Sequence, residues 1–443
     1  MLVVAYVSLC VLSSMCLAAY LKLRITKEGS SNNPTFRSFQ HKFIPVYLLV
    51  VWGDWLQGPY LYALYRYHGF VGTQVAVIYA CGIVSSAIFM AAKDIISDKL
   101  GRRATVVLFC VVYSLSCLLI LIPNYGVLLI GRCVAGLSNS ILFSTMETWY
   151  VHEHINKYDF PKEWVPITFS HVAFGSSIVA VAAGVVADAF ARWLSLGPLA
   201  PFILAIPALL SSIPALLFVW TENYGEERKF SFNKERKSCL EGLKTIVQNV
   251  DLFLVGAIQS LFESVVFVFV FIWTPSLDVF HDVPLGIIFA SFMVCNMLGS
   301  ITCDYLISKV GYSMTRVLVV LNASASIIFI IAAQFARDTN SLFYRIKMLL
   351  CLQSFELICG FYFPIMRVLR EKFLPAEHKL SVTNWFRVPL TIFSSIALLN
   401  FHDTSHGIPQ LFVFCAVMMS LAFMASLRFA RGSTNNNTAG IVS

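Results

Sequence analysis

Charge is scarce in this sequence. Only 13% of its 443 residues are Asp, Glu, Lys or Arg, while 58% are hydrophobic. Soluble domains carry roughly 25% charged residues. A chain this apolar cannot coat a water-exposed surface of its size, which argues against a soluble enzyme, a disordered chain and a nucleic-acid binder. A mean hydropathy of +0.75 points to lipid. Paired cysteine motifs are missing too. Twelve cysteines are scattered, mostly inside apolar runs, with no C-x-x-C. They read as small buried hydrophobes, not as a disulfide framework or a metal site. There is no G-x-x-x-x-G-K-[S/T] phosphate cradle, no H-E-x-x-H and no nucleophile elbow. No cofactor is expected, and an enzyme is the least favoured class.

What is present is a series of apolar runs. Thirteen approach the roughly 20 residues that a spanning helix needs, near 2–20, 44–65, 74–93, 104–122, 126–149, 166–188, 200–220, 251–272, 284–306, 316–335, 342–366, 380–400 and 408–428. They are continuous, not alternating, so helices are predicted over barrel strands. The first run lacks a preceding basic region and is followed by Lys22, Arg24 and Lys27. That order predicts a retained anchor with its N-terminus outside. If 23–43 faces the cytoplasm, the inside segments hold 25 of the 32 Lys and Arg residues and the outside segments five. Arg132 and Arg387 lie within spans. This positive-inside bias accounts for most of the net charge of +8. It also puts the C-terminus in the cytoplasm.

The longest polar break, 221–250, divides twelve spans six and six. Predicted domains are an anchor helix and cytoplasmic linker (1–43), a six-helix half (44–220), a cytoplasmic loop (221–250), a second half (251–430) and a cytoplasmic tail (431–443). Two six-span halves joined by such a loop resemble the major facilitator plan. Two motifs strengthen the resemblance. Asp98-Lys99-Leu100-Gly101-Arg102-Arg103 is similar to the superfamily's G-x-L-x-D-r-x-G-r-r loop, with Asp94 in place of its leading Gly and Ile96 in place of its Leu. There a carboxylate and arginines pair across helix ends around a tight Gly turn, a candidate gating latch; a solvated basic loop is the plainer reading. Arg132-Cys-Val-Ala-Gly136 resembles the R-x-x-x-G motif, whose small residue lets a neighbouring helix come close.

A narrower resemblance rests on Asp54-Trp-Leu-Gln-Gly-Pro-Tyr60, Glu147-Thr-Trp-Tyr-Val-His-Glu-His154, Asp159-Phe-Pro-Lys-Glu-Trp164, Ile258-Gln-Ser-Leu-Phe-Glu263, Pro284-Leu-Gly-Ile-Ile288 and Asn384-Trp-Phe-Arg-Val-Pro389. Together these are similar to the molybdate-anion transporters of animals, from Met1 to about residue 430. The resemblance implies an all-α polytopic protein with the major facilitator fold, six plus six transmembrane helices and an extra N-terminal one. It further implies molybdate uptake across the plasma membrane. Nothing in composition or spacing speaks of molybdate.

A charge at mid-bilayer costs at least ~2.5–3.5 kcal/mol on insertion scales. Six are retained within the runs: Asp54, Arg132, Glu147, Glu263, Glu356 and Arg387. Asp54 and Glu263 each sit near the middle of the first span of a half, 209 positions apart. With Glu356 they are candidate cavity carboxylates or proton carriers, or else members of buried ion pairs. Arg387 is the preferred anion ligand, because a guanidinium offers planar donors to two oxygens at once. Arg132 is either a second ligand or a structural partner of Gly136. Asn384, Gln57 and Trp55 are further candidate substrate donors. His171 is either a cavity residue or a satisfied interhelical histidine. For Glu147, pairing with a loop cation is the favoured reading. His152-Glu153-His154 has spacing that suits zinc poorly, so no metal is expected.

A transporter for a small oxyanion therefore competes with a transporter-shaped sensor or scaffold that moves nothing, and with a carrier of an organic cation or amino acid. Lipid is the expected surrounding and no nucleic acid a partner. Oligomeric state is open.

Overall fold

The structure, a computed structural model, describes residues 1–24, 33–90, 93–224, 232–277, 283–337, 343–401 and 406–439. Sixteen α-helices lie among them: α1 (Leu2–Arg24), α2 (Pro34–Trp55), α3 (Leu61–Tyr67), α4 (Gly72–Met90), α5 (Lys93–Leu100), α6 (Arg102–Ile120), α7 (Tyr125–His152), α8 (Val165–Asp188), α9 (Ala200–Val219), α10 (Phe232–Gln248), α11 (Val250–Leu277), α12 (Leu285–Ser308), α13 (Met314–Phe335), α14 (Tyr344–Phe373), α15 (Lys379–Leu399) and α16 (Gly407–Ala439). Twelve are long and apolar enough to cross a membrane.

Local chemistry sets several helix starts. Asn33 caps α2: its Oδ1 accepts from the amides of Thr35 (2.9 Å) and Phe36 (3.2 Å), with Pro34 in the first turn. Asn124 caps α7 in the same way, through Gly126 and Val127.

The run 44–65 does not form the single helix its hydropathy predicts. The chain goes from α2 through a 3-10 turn, Gly58–Tyr60, into α3. Pro59 brings no N–H and disfavours helical geometry at the residue before it. The Gln57 amide N–H bonds to the Asp54 carbonyl, so the Gly53 carbonyl loses its usual partner. The Gln57 side chain takes over, donating from Nε2 to Gly53 O at 3.2 Å. Hydropathy reports apolarity over the whole stretch and is blind to this break.

The chain forms two compact units. One comprises residues 24–230 and 284–293, and the other residues 1–23, 231–283 and 294–443. In the first, α2 packs on α8 and α9, α4 on α7, and α6 on α7 and α9. Its aromatic centre stacks Trp149 on Trp220 (4.2 Å between centroids, 12° between planes) with Phe43 beside them. In the second, α11 packs against α14, α15 and α16, and α13 against α14 and α16. Phe262 and Tyr362 stack at 3.6 Å there. The additional helix α1 goes with this second unit: Gln353 Nε2 donates to Ser8 Oγ at 2.6 Å. Ala5 and Cys16 are buried, while Val3, Val7, Val11 and Met15 are exposed, as a lipid-facing stripe would be. The predicted 221–250 loop contains helix α10, which lies on α15; Ser238 and Ser381 hydroxyls meet at 3.0 Å, and Trp385 Nε1 donates to Cys239 O.

Candidate functional site

In the first unit, Asp54 stands one residue from the end of α2, at the break. Its Oδ1 accepts from Tyr113 Oη at 2.7 Å. Arg132, on α7, lies within coulombic reach of Asp54. Its guanidinium crosses Gly82 of α4 so closely that a methyl there would sit 3.0 Å from Nη2. It also lies 5.5 Å over the Tyr79 ring, a cation–π contact. The Arg132 Nε is buried without a hydrogen-bond partner. One turn on, a methyl at Gly136 would overlap Ser85 Oγ and approach Gly82 O to 2.6 Å. The R-x-x-x-G pair thus serves a close α4–α7 crossing and still presents an unspent donor. Trp55 donates to Ser176 Oγ at 3.3 Å. Gln57 is 5% exposed, with its amide on the backbone.

In the second unit, Glu263 on α11 is engaged electrostatically by Arg387 of α15 and Arg370 of α14, and hydrogen-bonded by Gln259. The register follows from Ser260 Oγ, which donates to Phe386 O at 2.7 Å, and from Phe386 packed on Gly256. Arg387 follows Phe386 directly, and Asn384 lies one turn before it on a half-buried face of α15. Two guanidiniums around one carboxylate leave an excess positive charge, which suits an anion. Arg370 was not among the sequence candidates. It sits in a stretch whose basic residues read as a cytoplasmic loop, but α14 continues to Phe373 and carries it.

Glu356 takes a different position. It is 9% exposed and accepts from Asn296 Nδ2 of α12 at 3.4 Å. One turn later Gly360 touches the Asn296 backbone, and Gly299 in turn meets Leu357 O. Glu356-x-x-x-Gly360 therefore repeats on α14 what Arg132-x-x-x-Gly136 does on α7, a charge one turn ahead of a glycine crossing.

The basic loop motif pairs inside the first unit. Gly101 has φ +92° and immediately precedes α6. Glu222 caps that helix, accepting from the amides of Arg103 (2.8 Å) and Ala104 (3.1 Å), and pairs with Arg103 Nε at 3.4 Å. Arg102 bonds the Asn223 carbonyl through its amide. A side chain at residue 101 would meet Glu222 Oε1 at 2.5 Å, so glycine is required both by φ and by space. Asp98 is half-buried on α5, and the side chain of Asp94 lies outside the described residues. Glu153 accepts from Asn223, Thr221 and Lys157 at the same corner. Glu222→Ala should lower stability by about 0.5–2 kcal/mol, the worth of a helix cap. Detergent-state melting checks this, and an unshifted Tm would show that the cap is dispensable.

One buried carboxylate also lay outside the sequence candidates. Asp188, at the last residue of α8, is 0% exposed. It accepts from Tyr60 Oη at 3.0 Å and pairs with Arg192 Nη1 at 3.7 Å across the wide turn Ala189–Trp193. The amide of Gly286, in the first turn of α12, is directed at it. A carboxylate there opposes the positive end of the helix dipole. Read from sequence, Asp188 marks only the end of an apolar run; the partners that bury it come from distant segments.

Residues 4–356 match a family described as sugar transporters with 12 transmembrane segments. A curated relative in Xenopus tropicalis, a molybdate-anion transporter, is 40% identical over 90% of this chain and 87% of its own length. One in Danio rerio, with the same name, is 37% identical over 96% and 95%. The chain belongs to the molybdate-anion transporter family. Among solved structures, a D-xylose–proton symporter superposes with a TM-score of 0.67 at 12% identity, covering 88% of this chain and 97% of that one. The family fold is thus the major facilitator fold, with one further N-terminal helix. Members are transporters, not enzymes, and the chain is a multi-pass membrane protein.

Proposed function

We propose that this chain carries molybdate into cells across the plasma membrane by alternating access, with its C-terminus in the cytoplasm. The observation that carries the reading is kinship at 37–40% identity with curated molybdate-anion transporters over nearly the whole chain. The geometry supports it through buried or half-buried cations: Arg387 and Arg370 around Glu263 in one unit, and Arg132 with its unspent Nε in the other. Arg387 is the principal ligand of the oxyanion. Asn384, one turn before it, is a further donor; Trp55 and Arg132 are the candidate donors of the other unit, and Gln57 shapes the α2 break rather than the anion's shell.

Molybdate entering as a dianion against a negative interior is uphill by ~2.3 kcal/mol per charge per 100 mV. Proton entry would offset that, and Asp54, Glu263 and Glu356 are the carboxylates we assign to it. In proteoliposomes, labelled molybdate should accumulate, and faster under an inward proton gradient. Flux that ignores the gradient removes the coupling. Absence of any flux removes the carrier reading and leaves a sensor or scaffold. Competition by sulfate, tungstate and amines ranks the selectivity.

A further inference from the structure

We infer that the Glu263 site takes oxyanions as monoanions that carry an O–H, with that proton lying between the Glu263 carboxylate and the bound oxygen. This deepens the carrier reading, on which it rests, by naming the form of anion the site accepts. Every residue concerned belongs to the second compact unit: Gln259 and Glu263 on α11, Tyr362 and Arg370 on α14, and Arg387 on α15.

Three observations converge. First, Glu263 and its cations attract one another across a gap. Arg370 and Arg387 both act electrostatically on the carboxylate, yet among the described residues no guanidinium stands at ion-pair distance from it. All three residues are half-buried, not sealed. Second, two neighbouring polar groups are unspent. Gln259, 1% exposed, engages Glu263 and leaves its Oε1 buried without a partner. Tyr362 stacks its ring on Phe262 at 3.6 Å and 5°. Its hydroxyl is buried and unpaired, within coulombic reach of Glu263. A free acceptor and a free donor beside a carboxylate match a ligand that both donates and accepts. Third, two guanidiniums exceed one carboxylate by a single positive charge. A bare dianion leaves the site negative, whereas a monoanion leaves it neutral, as a membrane interior favours.

The carboxylate does the discriminating. A bare oxyanion oxygen facing Glu263 meets a second negative oxygen with nothing between them. An O–H in that place donates a charge-assisted hydrogen bond, one of the stronger kinds. The favoured class is therefore hydrogen molybdate, dihydrogen phosphate and dihydrogen arsenate. Molybdate, a bare dianion at neutral pH, joins it by taking one proton from solution.

The test is isothermal titration of the purified full-length protein in detergent, so it needs no flux. At about pH 6 arsenate is mainly the dihydrogen monoanion, while perrhenate is a monoanion of similar size with no proton. Arsenate should bind at least ~10-fold more tightly than perrhenate, the worth of one charged hydrogen bond. Molybdate should take up about one proton on binding, read as a heat that depends on the buffer, and arsenate none. In Glu263→Gln the arsenate preference and the proton uptake should both vanish. Should that variant fail to fold, the wild-type preference decides. Equal binding of arsenate and perrhenate, no binding of either, or an unchanged preference in Glu263→Gln would each overturn the inference. Molybdate flux in proteoliposomes is scored apart: the expected selectivity without flux removes the carrier and keeps the site, and flux without the selectivity does the reverse.

Discussion

Arg387→Gln removes molybdate uptake at least ~100-fold. Charged hydrogen bonds are worth ~1.5–3 kcal/mol each. Losing two of them to one oxyanion exceeds the ~2.8 kcal/mol that corresponds to 100-fold. The change also strips Glu263 of a nearby cation in a low-dielectric setting, which by itself costs stability. Two further variants separate these effects. Glu263→Gln combined with Arg387→Gln should restore surface expression without restoring uptake. Arg387→Lys keeps the charge but loses the bidentate fork, and should retain a few per cent of the rate. Uptake by Arg387→Gln at the wild-type rate, with normal expression, would falsify its assigned role. Arg370→Gln should cost less uptake, because Arg387, the proposed principal ligand, remains.

The largest structural effect is expected at Gly360. A β-carbon there overlaps Asn296 O and comes within 3.0 Å of its Cα, and Gly299 on the other side of the crossing is equally tight. Both obstacles are backbone, so no rotamer relieves them. Gly360→Val must push α12 and α14 apart. Overpacking of a close interior costs about 1–3 kcal/mol even where side chains can yield, and more here. The separation also pulls Asn296 from the Glu356 carboxylate, leaving a buried charge without its donor. The protein should fail to reach the membrane in folded form. Fluorescence-detected size exclusion checks this: a sharp monodisperse peak at wild-type yield would show that the crossing is looser than its geometry. Gly136→Val on α7 should behave alike, against Ser85 and Gly82.

How much of this was legible in sequence varies by residue. The membrane-length helices from α4 onward overlie their apolar runs, since burial in lipid needs little beyond length and apolarity, although α14 and α16 run on past them. The Arg132–Gly136 motif announced a close crossing, and Gly136 meets α4 as its spacing suggests. The α2 break was written in Gly58-Pro59, yet a hydropathy window averages over it. Arg370 was hidden because a cation after an apolar run reads as a loop anchor whether or not its helix continues. Asp188 was hidden because a terminal carboxylate is ordinary until Tyr60 and Gly286 are brought to it from 128 and 98 positions away.

Sequence alone determined that this chain lives in lipid, spans it as helices, carries its longest polar break at 221–250 and resembles the molybdate-anion transporter family. These follow from composition and from ordered local strings. Only the tertiary structure decided which buried charges share a neighbourhood: Asp54 with Tyr113 and Arg132, Glu263 with Arg387 and Arg370, Glu356 with Asn296, and Asp188 with Tyr60 and Arg192. A helix's apolar face states that it packs, without stating on what. Partner choice depends on crossings fixed by a few glycines, and the resulting contacts join residues far apart in the chain. The scarcity of charge noted at the outset makes each of those partnerships consequential, because in a membrane interior an unpaired charge has no water to turn to.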